Sequence, residues 1–390
     1  MHARKIYARQ KELLTSDRAV FVLGPRQVGK TTFLRRMYEA CPDGARAWVN
    51  LENPEHAGTF SSPSAVLDFV GRNRSGKGVF HLFLDEFQRV PDIGRTIKAL
   101  YDDQPWLRVV ASGSNNVEIN QRIRESLAGR KKVVKMFPLD WDEFLAWRLG
   151  GGDAPDLAAW AAKYRRGLNA ARTQAALREF LQWGGYPKVV LAAGDAAKKE
   201  ELDSIFDFWF NRDVAVETKK AYEFRRFAEQ MAFHHGGIVN FSQVGALCGV
   251  TGPTVDRFVG LLEETFMGVR VRPFFTNKLK EVTKSPKFYF LDPGFRNWLT
   301  GRSKLSEQDY GALFEGFYLA ERVKAGLDAL DARFWRTADA RSEVDFVFEK
   351  ERLAVELKWG DPARTAGMAQ FAKAYPDWEV GVLGKESYLQ

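Results

Sequence analysis

Cysteine is scarce in this chain, because only Cys41 and Cys248 occur among 390 residues. The two are far apart in sequence and lack the spacing of a metal-ligand motif. Neither a disulfide framework nor a cysteine-based metal site is therefore expected. A reducing compartment is the default for such a composition, and the sequence predicts a cytoplasmic protein.

Long apolar runs are also lacking. No uninterrupted run approaches the ~18 residues that a membrane-spanning helix needs, so we expect no membrane association. The first ten residues, MHARKIYARQ, carry no apolar segment after their charges, and no signal peptide is predicted. The sequence has no internal repeat and no long low-complexity tract.

Positive charge is in excess. The 58 Lys and Arg residues against 50 Asp and Glu residues give a net charge of +8, and the pI is about 9.3. This balance favours a polyanionic partner such as nucleic acid, although it does not indicate a fold. A length of 390 residues predicts two or three domains, and 45% hydrophobic residues are enough to build their cores.

Short apolar runs alternate with helical or polar stretches in the first 150 residues. The run RAVFVL at 18–23 ends at a glycine, and a helix is predicted over 30–40. Further apolar runs lie at 47–51, 79–84 and 107–111. Strands that alternate with helices predict a parallel sheet covered on both faces.

The stretch GPRQVGKT at 24–31 matches the phosphate-loop pattern G-x-x-x-x-G-K-[ST] between a predicted strand and a predicted helix. Glycines let the backbone curl so that its N–H groups face phosphate oxygens, and the helix N-terminus adds its dipole. The sequence predicts ATP binding, with Lys30 on the β- and γ-phosphates and Thr31 on Mg²⁺. A chance match in a glycine turn is the alternative. The predicted nucleotide contacts are Gly24, Pro25, Arg26, Gln27, Val28, Gly29, Lys30, Thr31 and Thr32.

A second apolar strand, in HLFLDEFQ at 81–88, ends in two carboxylates. We expect Asp85 to hold Mg²⁺ through water and Glu86 to polarise the attacking water. The alternative is an ordinary exposed acidic pair at the end of a strand.

Polar residues follow a third strand, LRVVASGSNN at 107–116. Ser114 and Asn115 are candidates to sit between the attacking water and the γ-phosphate, and a plain strand-to-loop transition is the alternative. Arg130, in LAGRKK, stands where many ring ATPases place an arginine that reaches the neighbouring subunit's γ-phosphate. This role predicts a homo-oligomer in the form of a ring. The alternative is a solvated basic turn.

The order of the motifs in this chain resembles that of a known group of proteins. GPRQVGKTT, LDEFQRVP, ASGS, LAGRKKVVKMFPLDWDEFL and WGGYP occur in the order seen in bacterial and archaeal AAA+-type ATPases with a C-terminal domain of unknown function. FYFLDPGFRNWL, FEGFYLAERV and FWRTADARSEVDFVFE…AVELK resemble that C-terminal domain. The resemblance spans nearly the whole chain and implies an α/β multidomain fold. It comprises a P-loop parallel-sheet core at 1–150, a helical lid at 151–225, a winged helix-turn-helix at 226–275 and a restriction-endonuclease-like α/β domain at 276–390.

The resemblance also implies that the WGGYP stretch contacts the nucleotide base. The matching positions are Gly185 and Pro187. A turn that ends a helix is the alternative, because Gly-Gly and Pro favour one on local grounds.

Residues 240–274 predict a helix, a turn, a second helix and a strand pair, with Ser242 as the cap of the first helix. The outer face of the second helix is a poor base reader, which favours a structural or protein-contact role. Four lysines of the following segment are the stronger candidates for phosphate contacts. They are Lys278, Lys280, Lys284 and Lys287. The expected core residues of the second helix are Val255, Phe258, Val259 and Leu262.

EVDFVFEKERLAVELK at 343–358 predicts a hairpin. Strict alternation places Val344, Phe346 and Phe348 on one face and Glu343, Asp345 and Val347 on the other. Pairing Phe348 with Leu353 then brings Asp345 opposite Glu356, on the face that also carries Lys358.

Two carboxylates this close repel unless a cation lies between them. The hairpin therefore predicts Mg²⁺ held by Asp345 and Glu356, with Lys358 positioning water or a scissile phosphate. The resemblance adds Glu315 as a further carboxylate. The alternative is a remnant whose charges lie on a solvated strand face.

Taken together, these motifs predict Mg²⁺-dependent ATP hydrolysis that drives a conformational or assembly change and acts on nucleic acid. An ATP-coupled, metal-dependent nuclease is one alternative. A slowly hydrolysing, nucleotide-loaded switch that recruits protein partners is another.

Overall fold

The computed structural model describes most of the residues of the chain. They are 2–60, 62–90, 93–114, 127, 129–166, 170–275, 284–302, 304–337, 339, 341–360, 362–363 and 365–389. The chain divides into two units. The first unit comprises Ala3–Pro138 and Glu264–Phe266, and the second comprises Met1–His2, Leu139–Glu263 and Met267–Gln390. The finer division into four domains stays a prediction.

A five-stranded parallel sheet forms the centre of the first unit, in the order β2-β3-β4-β1-β5. The sheet confirms the predicted parallel arrangement. Strand β1 lies between β4 and β5, and its five residues are all buried, as its unbroken apolar sequence predicts. The strands are β1 Ala19–Leu23, β2 Arg46–Asn50, β3 Phe80–Asp85, β4 Leu107–Gly113 and β5 Lys131–Lys135.

Amphipathic helices cover this sheet. The helix Lys30–Glu39 buries Phe33, Leu34 and Met37, three and four residues apart, on one face. The other α-helices of the first unit are Gln10–Leu14, Pro54–Thr59, Pro63–Asn73 and Ile93–Asp103. Short 3₁₀ helices lie at Lys5–Arg9 and Phe87–Arg89.

A distant piece of chain completes the first unit. Residues Glu264–Phe266 belong to it by position. The Phe266 ring packs edge-to-face on Phe137, with centroids 5.9 Å apart, and is 6% exposed.

The second unit begins with a largely helical region, as predicted for 156–235. The first of these helices, Trp141–Leu149, carries a capping box between Asp140 and Glu143. The helices are Trp141–Leu149, Leu157–Arg166, Ala170–Trp183, Pro187–Leu191, Gly194–Trp209, Ala215–Glu217 and Ala221–Phe233, with a π-helical turn at Phe210–Val214. Later in the chain come Phe241–Cys248, Gly252–Glu264, Pro293–Leu299, Asp309–Lys324 and Ala366–Ala374, with 3₁₀ turns at Ala329–Asp331 and Lys385–Tyr388.

The predicted helix, turn and second helix are present as Phe241–Cys248 and Gly252–Glu264. The strand pair predicted within 240–274 is wrong in its bounds, because only Gly268–Pro273 lies there and its antiparallel partner is Lys287–Phe290. The four predicted core residues of the second helix are all buried. The first helix is capped by Asn240, whose side chain accepts the Gln243 N–H at 3.1 Å. The predicted Ser242 cap is wrong, because the helix begins one residue before Ser242.

A six-stranded mixed sheet, in the order β11-β10-β9-β8-β6-β7, forms the remainder of the second unit. Its strands are β6 Gly268–Pro273, β7 Lys287–Phe290, β8 Ala332–Arg336, β9 Glu343–Phe348, β10 Leu353–Lys358 and β11 Glu379–Gly384. Strands β9 and β10 form the predicted antiparallel hairpin, and the pairing of Phe348 with Leu353 is confirmed.

The strict alternation predicted for β9 is wrong. Val344 and Val347, expected on opposite faces, share one core cluster with Phe371. The reason is an irregularity in the register between β8 and β9, where two residues of β8 span three of β9. This β-bulge adds one residue between Val344 and Val347 and interrupts the alternation at Asp345.

Among the helices of the described ranges, none combines the length and the apolar character needed to cross a membrane.

Candidate nucleotide-binding site

The loop between β1 and the helix Lys30–Glu39 depends on two glycines. A Cβ atom at Gly24 would lie 1.8 Å from the Met136 carbonyl oxygen, so no side chain fits there. Gly29 has φ of 99°, a left-handed conformation that favours glycine, and it immediately precedes the helix. The loop therefore turns sharply from the carboxyl end of a buried strand into a helix N-terminus, where N–H groups and the dipole favour an anion.

Lys30 places its ammonium inside this loop. Its Nζ donates to the carbonyl oxygens of Gly24 at 2.9 Å and Pro25 at 2.7 Å. The residue is 5% exposed. A positive charge is thus held within the curled backbone.

Thr31 and Asp85 meet at the carboxyl edge of the sheet. The Thr31 hydroxyl donates to Asp85 Oδ2 at 2.9 Å. The other oxygen, Oδ1, accepts the hydroxyl of Ser112. Hydroxyl and carboxylate oxygens are the ligands that Mg²⁺ prefers, so these residues fit the ion that the motifs imply. Bound there with ATP, Mg²⁺ would neutralise phosphate charge.

Glu86 follows Asp85 in a left-handed backbone conformation, with φ 56° and ψ 45°. Such a conformation is strained for a residue other than glycine and is common at functional sites. Its Oε2 accepts the Gln88 side-chain amide at 2.6 Å and lies 3.8 Å from Nη1 of Arg26. The candidate base is therefore held by two neighbours of the same loop cluster.

Gln88 also joins Glu86 to the next strand. Its Nε2 donates to the Ser114 hydroxyl at 3.2 Å, and Ser114 is 1% exposed. The structure thus brings Ser114 into the same network as Glu86. Asn115 lies outside the described residues. Sequence reasoning missed Gln88, and the one available signal was an amide two residues after the acidic pair.

Arg130 lies beside the amino end of β1, whereas the phosphate loop follows the carboxyl end of that strand. It precedes β5, and its carbonyl oxygen accepts the N–H of Ala19, the first residue of β1. The phosphate loop follows the last residue of β1, so roughly 16 Å of strand separates the two. Arg130 forms a half-exposed ion pair with Asp102 at 2.8 Å. Within one chain it therefore stands away from the loop.

Gly185 and Pro187 belong to the second unit, where the WGGYP stretch is locked by a buried aspartate. Gly184, with φ of 78°, follows the helix Ala170–Trp183, and a Cβ atom on it would lie 2.1 Å from Asp292 Oδ1. The Gly185 N–H donates to Asp292 Oδ2 at 2.8 Å. Pro187 begins the helix Pro187–Leu191. These contacts give the stretch a structural role, and contact with a base stays a prediction.

The carboxylates of the hairpin have partners of their own. Asp345 Oδ2 accepts the Leu357 N–H at 2.8 Å. Glu356 pairs with Lys358 at 2.7 Å and accepts the hydroxyl of Thr365. Glu356 is 6% exposed, so the alternative of charges on a solvated face does not hold for it.

Glu315 has a different hydrogen-bond partner. Its Oε2 accepts the Tyr289 hydroxyl at 3.0 Å. Burial, and then the charge of Asp345, raises the pKa of Glu315 well above its usual range. In the part of the chain that the structure describes, no three His, Cys, Asp or Glu side chains are grouped so as to hold a metal ion. Metal binding by Glu315, Asp345 and Glu356 stays a prediction.

Lys287 is not the flexible phosphate contact that its position after a lysine-bearing segment predicts. It begins β7, is 3% exposed and pairs with Glu343. Lys284 is exposed, as predicted. Lys278 and Lys280 lie outside the described residues.

Three family models match successive parts of this chain. Residues 16–145 match a model described as an AAA domain. Residues 174–306 and 310–388 match two models described as domains of unknown function, DUF8612 and DUF4143. The first match includes the phosphate loop, Asp85, Glu86 and Arg130, and supports a nucleotide-binding P-loop domain of the AAA type.

Two relatives that match most of the chain are described as uncharacterised proteins. A Mycobacterium tuberculosis protein is 27% identical over 354 residues, which cover 89% of this chain and 71% of the relative. A Haemophilus influenzae protein is 21% identical over 384 residues, covering 94% and 88%.

Solved structures resemble the chain only weakly. The Aeropyrum pernix ORC2 protein, in ADPNP–ADP complexes, matches 84% of this chain and 96% of its own, with 12% identity and a TM-score of 0.41. The Aeropyrum pernix ORC1 protein in complex with DNA matches 77% and 93%, with 14% identity and a TM-score of 0.34.

Proposed function

We propose that the first unit binds ATP with Mg²⁺ and hydrolyses it. Lys30 contacts the β- and γ-phosphates, Thr31 and Asp85 hold the metal, and Glu86 polarises the attacking water. Ser114 senses the γ-phosphate, and Asn115 is the second candidate for this role.

The hydrogen bond from Thr31 to Asp85 carries this proposal. It joins a phosphate-loop hydroxyl to a strand-end carboxylate from 54 residues further along the chain, at 2.9 Å. Parallel pairing of β1 with β4, and of β4 with β3, brings these two strand ends to one edge of the sheet. Lys30 directly precedes Thr31 in the sequence, and Glu86 directly follows Asp85. The phosphate loop and the end of β3 together would supply the cation, the metal ligands and the base that phosphoryl transfer needs.

A second candidate, a nucleotide-loaded switch, is favoured by the state of Glu86. One carboxylate oxygen, Oε2, accepts the Gln88 amide and lies near Arg26, so a proton can be taken from water through that oxygen only after those contacts rearrange. Slow hydrolysis that accelerates when a partner rearranges the network would follow. Partner binding then differs between the ATP and ADP states.

Assembly and the wider role extend the proposal. Arg130 acts on the γ-phosphate of a neighbouring subunit in a homo-oligomeric ring. Its ion pair with Asp102 is half-exposed and weak, so the guanidinium is released at a cost of about 1 kcal/mol or less. The net charge of +8 supports nucleic acid as the partner on which turnover acts, in the cytoplasm. The C-terminal nuclease-like fold and the winged helix remain parts of this proposal.

Glu86→Gln tests the hydrolytic role. The amide keeps the size of the side chain but cannot act as a base, so the variant should bind ATP normally and lose at least about 100-fold in turnover. ATP binding and phosphate release are measured on the same sample, with and without DNA and RNA. Hydrolysis at the wild-type rate would show that Glu86 does not activate water. Turnover that rises only with a partner would favour the switch.

A further inference from the structure

Lys287 is a buried cation among carboxylates of the second unit. Its side chain is 4% exposed and its Nζ forms an ion pair with Glu343. The same Nζ lies 5.4 Å from the centroid of the Phe334 ring. Two residues along β7, the Tyr289 hydroxyl donates to Glu315. Lys287 and Tyr289, which share a strand face, thus reach different members of one acidic group.

The charges of this group act on one another. Burial lowers the pKa of the Lys287 ammonium, but Glu315, Glu343 and Asp345 together outweigh burial and leave that pKa raised. Burial raises the pKa of Asp345, and Lys287 is the main charge that opposes the rise. The ammonium therefore stabilises the acidic group from within, as a cation placed there would.

A metal ion bound by this acidic group would occupy the space of the Lys287 ammonium and supply the positive charge that the ammonium now supplies. The bulge in β9 interrupts the strand at Asp345, which leaves Asp345 and Glu356 in different hydrogen-bond environments. Glu356 is neutralised separately by Lys358 at 2.7 Å. Each buried carboxylate already has a hydrogen-bond donor or a lysine beside it, as buried charges require.

We propose that Lys287 is a fixed internal counter-ion that takes the place of a divalent cation among Glu315, Glu343 and Asp345. The acidic group of the second unit is therefore assembled without a metal ion, and metal-dependent phosphodiester cleavage is not its function. The proposal is independent of ATP hydrolysis in the first unit.

The test uses Mn²⁺ as the probe on the full chain without nucleotide. Binding is measured by electron paramagnetic resonance for wild type, Asp345→Asn, Lys287→Met and the double variant. Lys350→Met is the matched control. This variant also loses a lysine–carboxylate ion pair, with Asp331 at 2.6 Å, but the Lys350 side chain is 76% exposed and not buried. Any Mn²⁺ at the phosphate loop is common to all five proteins and cancels.

Wild type and Asp345→Asn should bind Mn²⁺ equally. Lys287→Met should gain a site that binds Mn²⁺ at least about tenfold more tightly than the wild type does, equivalent to 1.4 kcal/mol. The double variant should lose this site. Mn²⁺ should also raise the Tm of Lys287→Met and leave that of Lys350→Met unchanged. A folded Lys287→Met protein without the new site would overturn the proposal. Should that variant fail to fold, the wild-type comparison decides alone, because Mn²⁺ binding that Asp345→Asn removes contradicts the proposal.

Discussion

Replacing Lys30 with alanine tests the phosphate loop most directly. In the free protein the ammonium donates to the carbonyl oxygens of Gly24 and Pro25, at 2.9 and 2.7 Å. Binding of ATP exchanges these two bonds for contacts with phosphate oxygens. The affinity that Lys30 contributes is therefore a difference between two states and is smaller than the attraction of the bare charges.

The size of that difference follows from the two terms. Lys30 faces two phosphates, and each unit charge pair at about 4 Å near a protein surface contributes about 4 kcal/mol, or about 8 kcal/mol for the two. Each carbonyl bond given up has a charged donor and is worth about 1.5–3 kcal/mol net, or about 3–6 kcal/mol for the two. The balance is about 2–5 kcal/mol, and Lys30→Ala should weaken ATP binding by roughly 30- to 5000-fold.

Isothermal titration with a non-hydrolysable ATP analogue measures this loss. Lys77→Ala is the control, because Lys77 is an exposed lysine of the same unit, and its affinity should match wild type. The thermal transition of each variant checks folding, since removing the ammonium leaves two loop carbonyls without a donor. A Lys30→Ala protein that is folded and binds with wild-type affinity would refute the assignment of the loop.

Three further predictions concern other parts of the chain. Mixing Arg130→Ala protein with Lys30→Ala protein should restore part of the ATPase rate if Arg130 acts across an interface. No rescue, in a chain that stays monomeric with ATP, excludes that role. Asp292→Ala should lower the free energy of unfolding by about 2–4 kcal/mol, because a helix cap and a buried acceptor are lost. Denaturant midpoints measure it, Asp292→Asn being milder, and a change below about 0.5 kcal/mol contradicts it. Gln88→Leu should raise basal turnover about 2- to 10-fold by releasing Glu86, and an unchanged or lower rate in a phosphate-release assay argues against such a restraint.

Contiguous motifs were the part of the site that the sequence predicted well. The strand, glycine loop and helix around Lys30 are adjacent in the chain, so a short pattern contains the whole geometry. The acidic pair at Asp85 was found in the same way, as an apolar run that ends in charge. Local sequence also predicted the hairpin register, because a short turn between two alternating runs leaves few pairings.

Contacts made by strand pairing could not be predicted. Ser112 reaches Asp85 because Leu84 pairs with Ala111 across β3 and β4, and the sequence does not specify that order of strands. Gln88 joins Glu86 to Ser114 for the same reason. Such partners depend on which strands are neighbours, and 26 residues separate Gln88 from Ser114.

Alternation failed where the backbone departs from a regular strand. Asp345 lies within a β-bulge, and the sequence EVDFVF contains no glycine to signal it. The polar segment before Lys287 predicts a loop that includes this residue. Its burial beside Glu343 depends on a contact with a strand 56 residues later in the sequence.

The segment Glu264–Phe266 has a consequence for the order in which the protein is made. Its Phe266 ring packs on Phe137, although residues 139–263 of the second unit lie between them in the chain. During translation, Ala3–Pro138 leaves the ribosome first. The Phe137 ring then has no contact with Phe266 until that residue is synthesised much later. Domains usually fold as they emerge, but the last side chain of the first unit arrives only after the helical region of the second unit has been produced. A fragment that ends near residue 150 would expose that aromatic face permanently.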